Sequence, residues 1–497
     1  MFAGKIREPR RVSKKAASAA VFCAVFLASC TVGPKYSKPS VPTTPSFKEA
    51  PPVASNANGM WHPTPGETKL PGKWWEIYGD AELNALEEQI DPSNLDLQVA
   101  EARFREARAA VHYNRAARYP ALSTAPSIDS LRNSSHRPNL ITQANPQATG
   151  DFLLPFDLSY EVDFWGRVRR TISAAREEAQ ASAADLATLS LSLHAELAID
   201  YFELHTLDAQ QQILNDTVKA YTEALRLTTN RYQGGVAARQ EVAQAQTQLN
   251  TTQAEATDVG VQRAQYEHAI AILLGKPPAL FNLPAKALQA MPPDIPFGVP
   301  STLLERRPDI ASAERRVAEA NDQIGLARAA YFPTVTLSAT AGLEGTSLLN
   351  WFTWPARFWA VGPQAAELIY DGGRRRANML GAEANYDATV ATYRKTTLAA
   401  FQQVEDNLAA LRILQKEATQ QRDAVESSQN LLTLSMNRYR GGVDTYLQVI
   451  TSQTINLTNQ RTEIDIMRRR MDASVLLVKA LGGGWTTASL PAVSSLK

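Results

Sequence analysis

The chain has 497 residues, with 51 basic and 50 acidic side chains and a hydrophobic content of 44%. That length allows two or three ordinary domains and that apolar content can fill a large core, so disorder is not the reading. The balanced charge gives no global pull toward nucleic acid. The only two cysteines, Cys23 and Cys30, lie near the N-terminus, so the remainder has neither a disulfide framework nor a cysteine metal site.

In chain order, residues 1–29 read as a lipoprotein signal peptide. Arg7, Arg10, Arg11, Lys14 and Lys15 form its positive end and Ala16 to Leu27 its apolar run. The run is too short to span a bilayer, which takes roughly 20 residues. It ends in Leu27-Ala28-Ser29-Cys30, similar to the bacterial lipobox, in which the cysteine is lipidated and becomes the new N-terminus. Thr31 stands where an Asp would signal inner-membrane retention, so the expected destination is the outer membrane. Residues 30–73 are a lipid-anchored, Pro-rich segment whose Pro34 to Pro71 stretch reads as an extended tether.

Order is expected to begin at Trp74-Trp75. A first unit over 74–283 reads as a helix from Leu95 to Arg118, strands at about 119–130 and 152–164 around a polar loop (Asn133 to Pro146), and long hairpin helices over 167–274. A Pro-rich linker, 284–305, leads to a second unit over 306–485. This has a helix from Ile310 to Ala330, strands at about 333–342 and 358–369, and hairpin helices over 374–481, before a tail at 486–497.

The hairpin segments are exceptional in length. Arg167 to Gln233 contains no Gly or Pro and Arg374 to Arg440 contains only Gly381. Each can therefore be one helix of roughly 95 Å at 1.5 Å per residue. In the first, Leu197, Leu204, Gln211, Val218 and Leu225 recur every seven residues, with Leu207, Leu214 and Tyr221 between them, a narrow coiled-coil seam.

The two units are copies. Asn230-Arg231-Tyr232-Gln233-Gly234-Gly235-Val236 returns as Asn437-Arg438-Tyr439-Arg440-Gly441-Gly442-Val443, an offset of 437 − 230 = 207. Leu97 to Pro120 and Ile310 to Pro333 align at 310 − 97 = 213, so one intervening loop differs in length. The period is too long for a solenoid of short repeats, and each copy is about half of one architecture. The repeated motif falls at the hairpin tip, where the Gly pair supplies the positive φ that reverses the chain. The recurrence of Arg, Tyr and Val beside it points to a contact with a partner.

Four strands of roughly ten residues suit a tilted bilayer crossing, and Trp165, Trp351, Trp354 and Trp359 lie near their ends like an interfacial belt. Four strands cannot close a barrel, and open edges facing lipid leave backbone groups unpaired, so several copies must pool strands. About eight strands is the smallest useful barrel, which takes two copies; three copies give twelve. The competing reading is a small soluble sheet capped by helices.

No enzyme site is legible. His62, His112, His136, His194, His205 and His268 are scattered without metal-ligand spacing, and His194 and His205 share a helix face without a paired carboxylate motif. No Gly-rich loop follows a strand in a phosphate-binding pattern. Neither a catalytic residue, a metal nor a cofactor is assigned, apart from covalent lipid on Cys30.

The chain resembles the TolC/OprM-like outer-membrane efflux channels, in their lipoprotein branch, from Cys30 to Trp485. The resemblance rests on Cys30-Thr-Val-Gly-Pro-Lys-Tyr36, Trp74-Trp75, Asp163-Phe-Trp-Gly-Arg167, Arg306-Arg-Pro-Asp-Ile310, Asp371-Gly-Gly-Arg-Arg375, both Arg-Tyr-x-Gly-Gly-Val turns, and Ala480-Leu-Gly-Gly-Gly-Trp485. It implies a mainly α homotrimer with a 12-stranded outer-membrane β-barrel, four strands per chain, continued by a periplasmic α-helical coiled-coil barrel. The implied function is the exit duct of a tripartite pump for drugs or other small molecules. Its partners are a periplasmic adaptor, an inner-membrane transporter of the RND type and outer-membrane lipid.

By that resemblance, Arg231, Tyr232, Gly234, Gly235 and Val236, with Arg438, Tyr439, Gly441, Gly442 and Val443, are the adaptor-contact tips. Leu447, Tyr439, Arg440, Asp444 and Thr451 mark the periplasmic gate. Thr451-Ser452-Gln453 stands where many relatives have Asp-Ala-Gln, so a carboxylate ring is absent there and closure is expected to rest on Leu447, Asp444 and nearby arginines. Trp165, Trp354 and Trp359, with Arg167, Arg169, Arg170, Arg374, Arg375 and Arg376, are the membrane-interface set. The arginines sit at helix starts, where the macrodipole disfavours cations; lipid phosphates or acids such as Asp163 and Asp371 are the two ways of offsetting that. Two rival functions remain: a type I protein-secretion duct, and a lipid-anchored periplasmic coiled-coil scaffold without a pore.

Overall fold

The computed structural model describes residues 31–49, 72–132, 134, 148–288, 291–295 and 300–496. The signal segment with Cys30 lies outside these residues, as do most of the tether beyond residue 49 and most of the Asn133 to Pro146 loop.

The helices are α1 (Ala81–Ser93), α2 (Leu95–Ala116), α3 (Arg167–Gln233), α4 (Arg239–Leu273), α5 (Pro308–Ala329), α6 (Arg374–Arg440) and α7 (Tyr446–Ala480), with short turns between them. The duplication is carried into three dimensions: α3 and α6 each have 67 residues, α4 and α7 each 35, α2 and α5 each 22. At 1.5 Å per residue the long pair runs about 100 Å. Both start behind a left-handed glycine, Gly166 (φ 82°) and Gly373 (φ 91°). In each case an upstream aspartate takes the free N–H groups. Asp163 accepts from the backbone of Val168 and Arg169, and Asp371 from that of Gly373 and Arg375, all at 3.0 Å.

The helices lie side by side: α3 packs on α2, α4 and α5, α6 on α5 and α7, and α7 also on α3. A two-residue-wide apolar stripe on such long rods cannot bury itself alone, so the core is a chain of clusters along the seams. The largest surrounds Trp74, Trp75, Tyr201, Phe202, Met471 and Val475, midway along the rods. Leu197, Leu204, Leu207, Leu214 and Tyr221 of the heptad seam are buried, whereas Gln211, Val218 and Leu225 are half-buried. Among the described residues no helix is long and apolar enough to cross a membrane.

Residues 31–49 are non-helical, as the prolines dictate, and they are strapped down. Val32 N–H donates to Trp165 O at 3.1 Å, and Arg170 donates to Pro34 O at 2.8 Å. Tyr36 bonds Glu314, and the Lys48 and Glu49 amides donate to Glu405 at 2.7 and 2.9 Å. The strap thus runs from the start of α3 down the groove between α5 and α6.

One antiparallel sheet holds β1 (Ala121–Ser123), β2 (Ser127–Leu131), β3 (Thr149–Glu161), β4 (Thr334–Gly345) and β5 (Arg357–Ala366), in the order β1/β2, β3, β4, β5. The strand expected at about 119–130 is split, yet β1 and β2 keep one register on β3 (Ser123 opposite Asp157, Ser127 opposite Leu153). Pro126, opposite Leu154, and Pro155, opposite Ala125, lack N–H groups that would have bridged the gap. The second strand spans 149–161 and not 152–164, because Asp163 is already capping α3. The third runs on to Gly345, past the expected 342, and the last ends at Ala366, leaving Leu368 and Ile369 exposed and outside the strand.

Side chains alternate across this sheet by chemistry. Leu122, Ile128, Phe152, Leu154, Phe156, Leu158 and Tyr160 share one face with Leu337, Ala339, Ala341, Leu343, Trp359 and Val361. The opposite face carries Asp129, Asp151, Asp157, Glu161, Thr336, Ser338, Thr340, Glu344 and Gln364. Several of the apolar set stand exposed, Trp359 at 76% and Val361 at 72%.

Candidate functional site: two hairpin tips and an open sheet

The tips lie where α3 meets α4 and α6 meets α7. Only the second glycine of each pair has a left-handed backbone, Gly235 (φ 76°) and Gly442 (φ 75°); Gly234 and Gly441 do not. Gly234 N–H closes onto Asn230 O at 3.0 Å and Val236 N–H onto Arg231 O at 2.8 Å, satisfying the last helical carbonyls. Tyr232, Val236 and Val443 project outward, and Arg438 donates to Asp444 at 2.5 Å across the second turn.

The identical motifs are used in different ways. Tyr232 is 44% exposed; its copy Tyr439 is 1% exposed. Tyr439 is inserted into the first hairpin, where its hydroxyl meets Thr228 Oγ1 at 3.3 Å and Glu241 at 3.2 Å. Its ring packs 5.3 Å from Tyr446, in a cluster with Ala224, Ala245 and Val449. Arg231 lies over the ring at 4.5 Å and donates to Tyr439 O at 2.6 Å. The Tyr439 side chain, expected at both the adaptor-contact tip and the gate, is thus buried against the first hairpin and links the two hairpins. Burial, against the hydrogen bond with Thr228 and reinforced by the field of Glu241, pushes its phenol above the ordinary range, so it stays neutral.

The other gate positions make no hydrogen bond or ion pair with the first hairpin among the described residues. Leu447 is 55% exposed, Arg440 is exposed, and Thr451 bonds only back to Leu447 O at 3.0 Å. Asp444 is taken by Arg438 of its own turn. Thr228 and Glu241 escaped the sequence reading. A carboxylate in the first turn of α4 looks like an ordinary favourable helix start, and nothing in the one-dimensional pattern tells which hairpin lies beside it. Above the tips, Gln248 contacts Thr454, Glu255 pairs with Arg461 at 2.8 Å and Glu203 with Arg468 at 2.6 Å, so polar links tie the first hairpin to α7 along its length.

At the other end, Trp165 donates to Pro333 O at 2.9 Å and stacks on Phe332, whereas Trp354 and Trp359 are more than 70% exposed. Of the six arginines, Arg167 pairs with Glu161, Arg169 with Asp163 at 3.0 Å, Arg170 with Asp322 at 2.5 Å and Arg375 with Asp371 at 2.8 Å. Internal acids thus answer four of them. Arg374 and Arg376 are exposed and have no ion pair among the described residues. His194 also departs from expectation. Its Nδ1 lies 2.6 Å from Glu87 and its Nε2 3.2 Å from Asp91, both on α1, with Trp75 stacked on the ring at 4.5 Å.

An exposed apolar sheet face, two unpaired sheet edges and 100 Å helical hairpins define a membrane-channel subunit with a long helical extension. The chain belongs to the outer membrane efflux protein family, whose model matches residues 87–276 and 299–483. It is 31% identical to the solvent efflux pump outer membrane protein SrpC of Pseudomonas putida over 477 residues, 94% of this chain and 98% of that one. It is also 31% identical to the outer membrane protein OprJ of Pseudomonas aeruginosa over 470 residues, 94% and 95% of the two chains. Among solved structures, the outer-membrane channel OprN superposes with a TM-score of 0.85 at 29% identity, covering 92% of this chain and all of that one. The protein is thus a TolC/OprM-like outer-membrane efflux channel, a transport protein.

Proposed function

We propose that three copies pool their sheets into a 12-stranded barrel in the outer membrane, and that their helices continue it as a periplasmic duct carrying small molecules outward. The observation that carries this reading is the alternation of the sheet. One face is apolar and exposed, which water disfavours and lipid accepts, and the other is polar and suited to a water-filled lumen. With β1/β2 on one edge and β5 on the other, antiparallel to each other, each edge matches the opposite edge of the next copy, and closure leaves no edge in lipid.

The free ends of the hairpins are the proposed seat of a periplasmic adaptor, through Tyr232, Gly234, Gly235, Val236, Arg438, Gly441, Gly442 and Val443, with an RND-type transporter as the energised partner. Leu447 and Thr451 are proposed to line the gate, and the link of Tyr439 with Arg231, Thr228 and Glu241 to hold it. Cys30 is the proposed lipid site. In support, Thr31 lies against Gly166 at the junction of sheet and helices, where the inner leaflet would meet the barrel. Arg374 and Arg376 are the arginines proposed to meet lipid phosphates there.

Planar-bilayer conductance of the purified lipidated protein, alongside its mass in detergent, tests the reading. A trimer mass with discrete openings is expected. A monomer, or a trimer silent even after Leu447→Gly, would favour a scaffold without a pore.

A further inference from the structure

The duplication allows each buried charge to be compared with its copy. Arg263 on α4 is fully answered: Nε donates to Asp208 at 2.7 Å, Nη2 to Leu283 O at 2.8 Å, and Nη1 lies 3.5 Å from Glu267. At the offset of 207 its copy is Arg470 on α7, since 263 + 207 = 470. The partners have not been copied. Gln415 stands at the position of Asp208 and Ser474 at that of Glu267, and Ser474 is engaged with the hydroxyl of Tyr78 at 2.9 Å.

Arg470 is nevertheless more deeply buried than an arginine normally tolerates, at 5% exposure. Its Nε has no hydrogen-bond partner, and among the described residues it forms no ion pair. Its neighbour Arg469 turns away to Glu417, and Arg468 turns to Glu203 on α3. The charged group whose field bears on Arg470 is another cation, Arg422 of α6; burial and then Arg422 hold Arg470 below the ordinary arginine range. A guanidinium cannot shed its proton at neutral pH, so it has to be answered by an anion.

We propose that the seam between α6 and α7, beside the central core, binds a free oxyanion of the size of inorganic phosphate on Arg470 and Arg422. The planar fork of Arg470 offers parallel N–H donors to two oxygens of such an ion. Arg422, exposed on the facing helix and near enough for its field to bear on Arg470, supplies the second charge. The ion takes in the second repeat the place that Asp208 takes in the first, and it pins α6 to α7 above the hairpin that carries Leu447. The site is composed of residues of one chain and carries no part of the channel reading, so its failure leaves that reading untouched.

Equilibrium dialysis of the full-length purified protein with labelled inorganic phosphate at constant ionic strength tests the site, alongside thermal unfolding at a fixed scan rate. The wild type is expected to bind one phosphate per chain and to gain about 2 °C or more in its unfolding midpoint, saturably. Arg470→Gln should lose both effects, Arg422→Gln should weaken binding at least tenfold, and Arg263→Gln should keep them. If Arg470→Gln does not fold, Arg470→Lys should still fold and bind phosphate more weakly. A wild type that binds no phosphate, or an Arg470 or Arg422 variant that binds it as the wild type does, would overturn the proposal.

Discussion

Arg231 and Tyr439 form the contact on which the two hairpins meet. The guanidinium lies 4.5 Å from the ring centre and donates at 2.6 Å to the main-chain oxygen of the same residue, so one side chain grips both the ring and the backbone. The copy of this pair, Arg438 and Tyr232, makes no such contact: Arg438 bonds Asp444 and Tyr232 faces solvent. A symmetric duplication has therefore become an asymmetric joint.

That asymmetry predicts unequal mutants. Tyr439→Ala removes a buried aromatic and should cost about 3–5 kcal/mol locally, loosening the tips and raising single-channel conductance and entry of large antibiotics. Tyr232→Ala should leave conductance near the wild-type value and act, if at all, on pairing with the adaptor. Equal conductance in the two variants would exclude the joint as a gate link.

Tyr439→Phe isolates the hydroxyl. Losing its bonds to Thr228 and Glu241 should cost about 1 kcal/mol, and Glu241→Gln less, so conductance should rise in the order wild type, Glu241→Gln, Tyr439→Phe, Tyr439→Ala. Leu447→Gly should open the channel without loosening the hairpins. Its hydrogen-exchange protection at Tyr439 is expected to stay at the wild-type level while permeability rises.

The glycine pairs should separate cleanly. Gly235→Ala and Gly442→Ala force a left-handed residue and should cost about 1 kcal/mol each. Gly234→Ala and Gly441→Ala should be nearly neutral, since their backbones are right-handed. Thermal melting of the purified protein at a fixed scan rate measures the difference.

The sheet alternation can be tested one residue apart. Leu158→Arg puts a charge on the apolar face and should cost about 2–4 kcal/mol near the membrane midplane, lowering assembled protein in the outer membrane. Ser159→Arg faces the polar side and should assemble normally while shifting the channel toward anions. Comparable assembly of both variants would show that the face assignment is wrong.

His194 and Glu87 give a pH dependence. Burial pushes Glu87 up to about 7. Burial opposes a charge on His194, but the hydrogen bond with Glu87 and the field of Asp91 prevail and raise its affinity for a proton. Both shifts mean that the folded chain holds these two protons more tightly than the unfolded one, so the contribution of this pair to stability is greatest at low pH. It should decline as pH rises from about 4.5 through 7, and further as His194 loses its proton. Glu87→Gln, which removes the buried carboxyl and its hold on the His194 proton, should flatten the profile of unfolding midpoint against pH over that range, and an unchanged profile would remove the pair from the account.

Much of this architecture is written along the chain. The absence of Gly and Pro from 167–233 dictates one uninterrupted helix, and Gly234-Gly235 dictates its end. The offset of 207 makes the second half a copy of the first, and the strand alternation assigns a wet and a dry face. Strand ends were less legible: Pro126 and Pro155 interrupt a ladder only because the fold brings them within one position of each other across it, and Asp163 ends β3 because it is needed to cap α3. Glu241, Thr228, Glu87 and Asp91 stayed hidden because their partners lie on other elements.

The sequence by itself determined the elements, because helix continuity, turn chemistry and strand period depend on neighbours along the chain. The tertiary structure alone decided which of two identical side chains does what. Tyr232 and Tyr439, or Arg263 and Arg470, have nearly the same local surroundings, and burial, partner and charge balance come from the helix packed against them. Those are properties of contacts between distant segments, which no local pattern encodes.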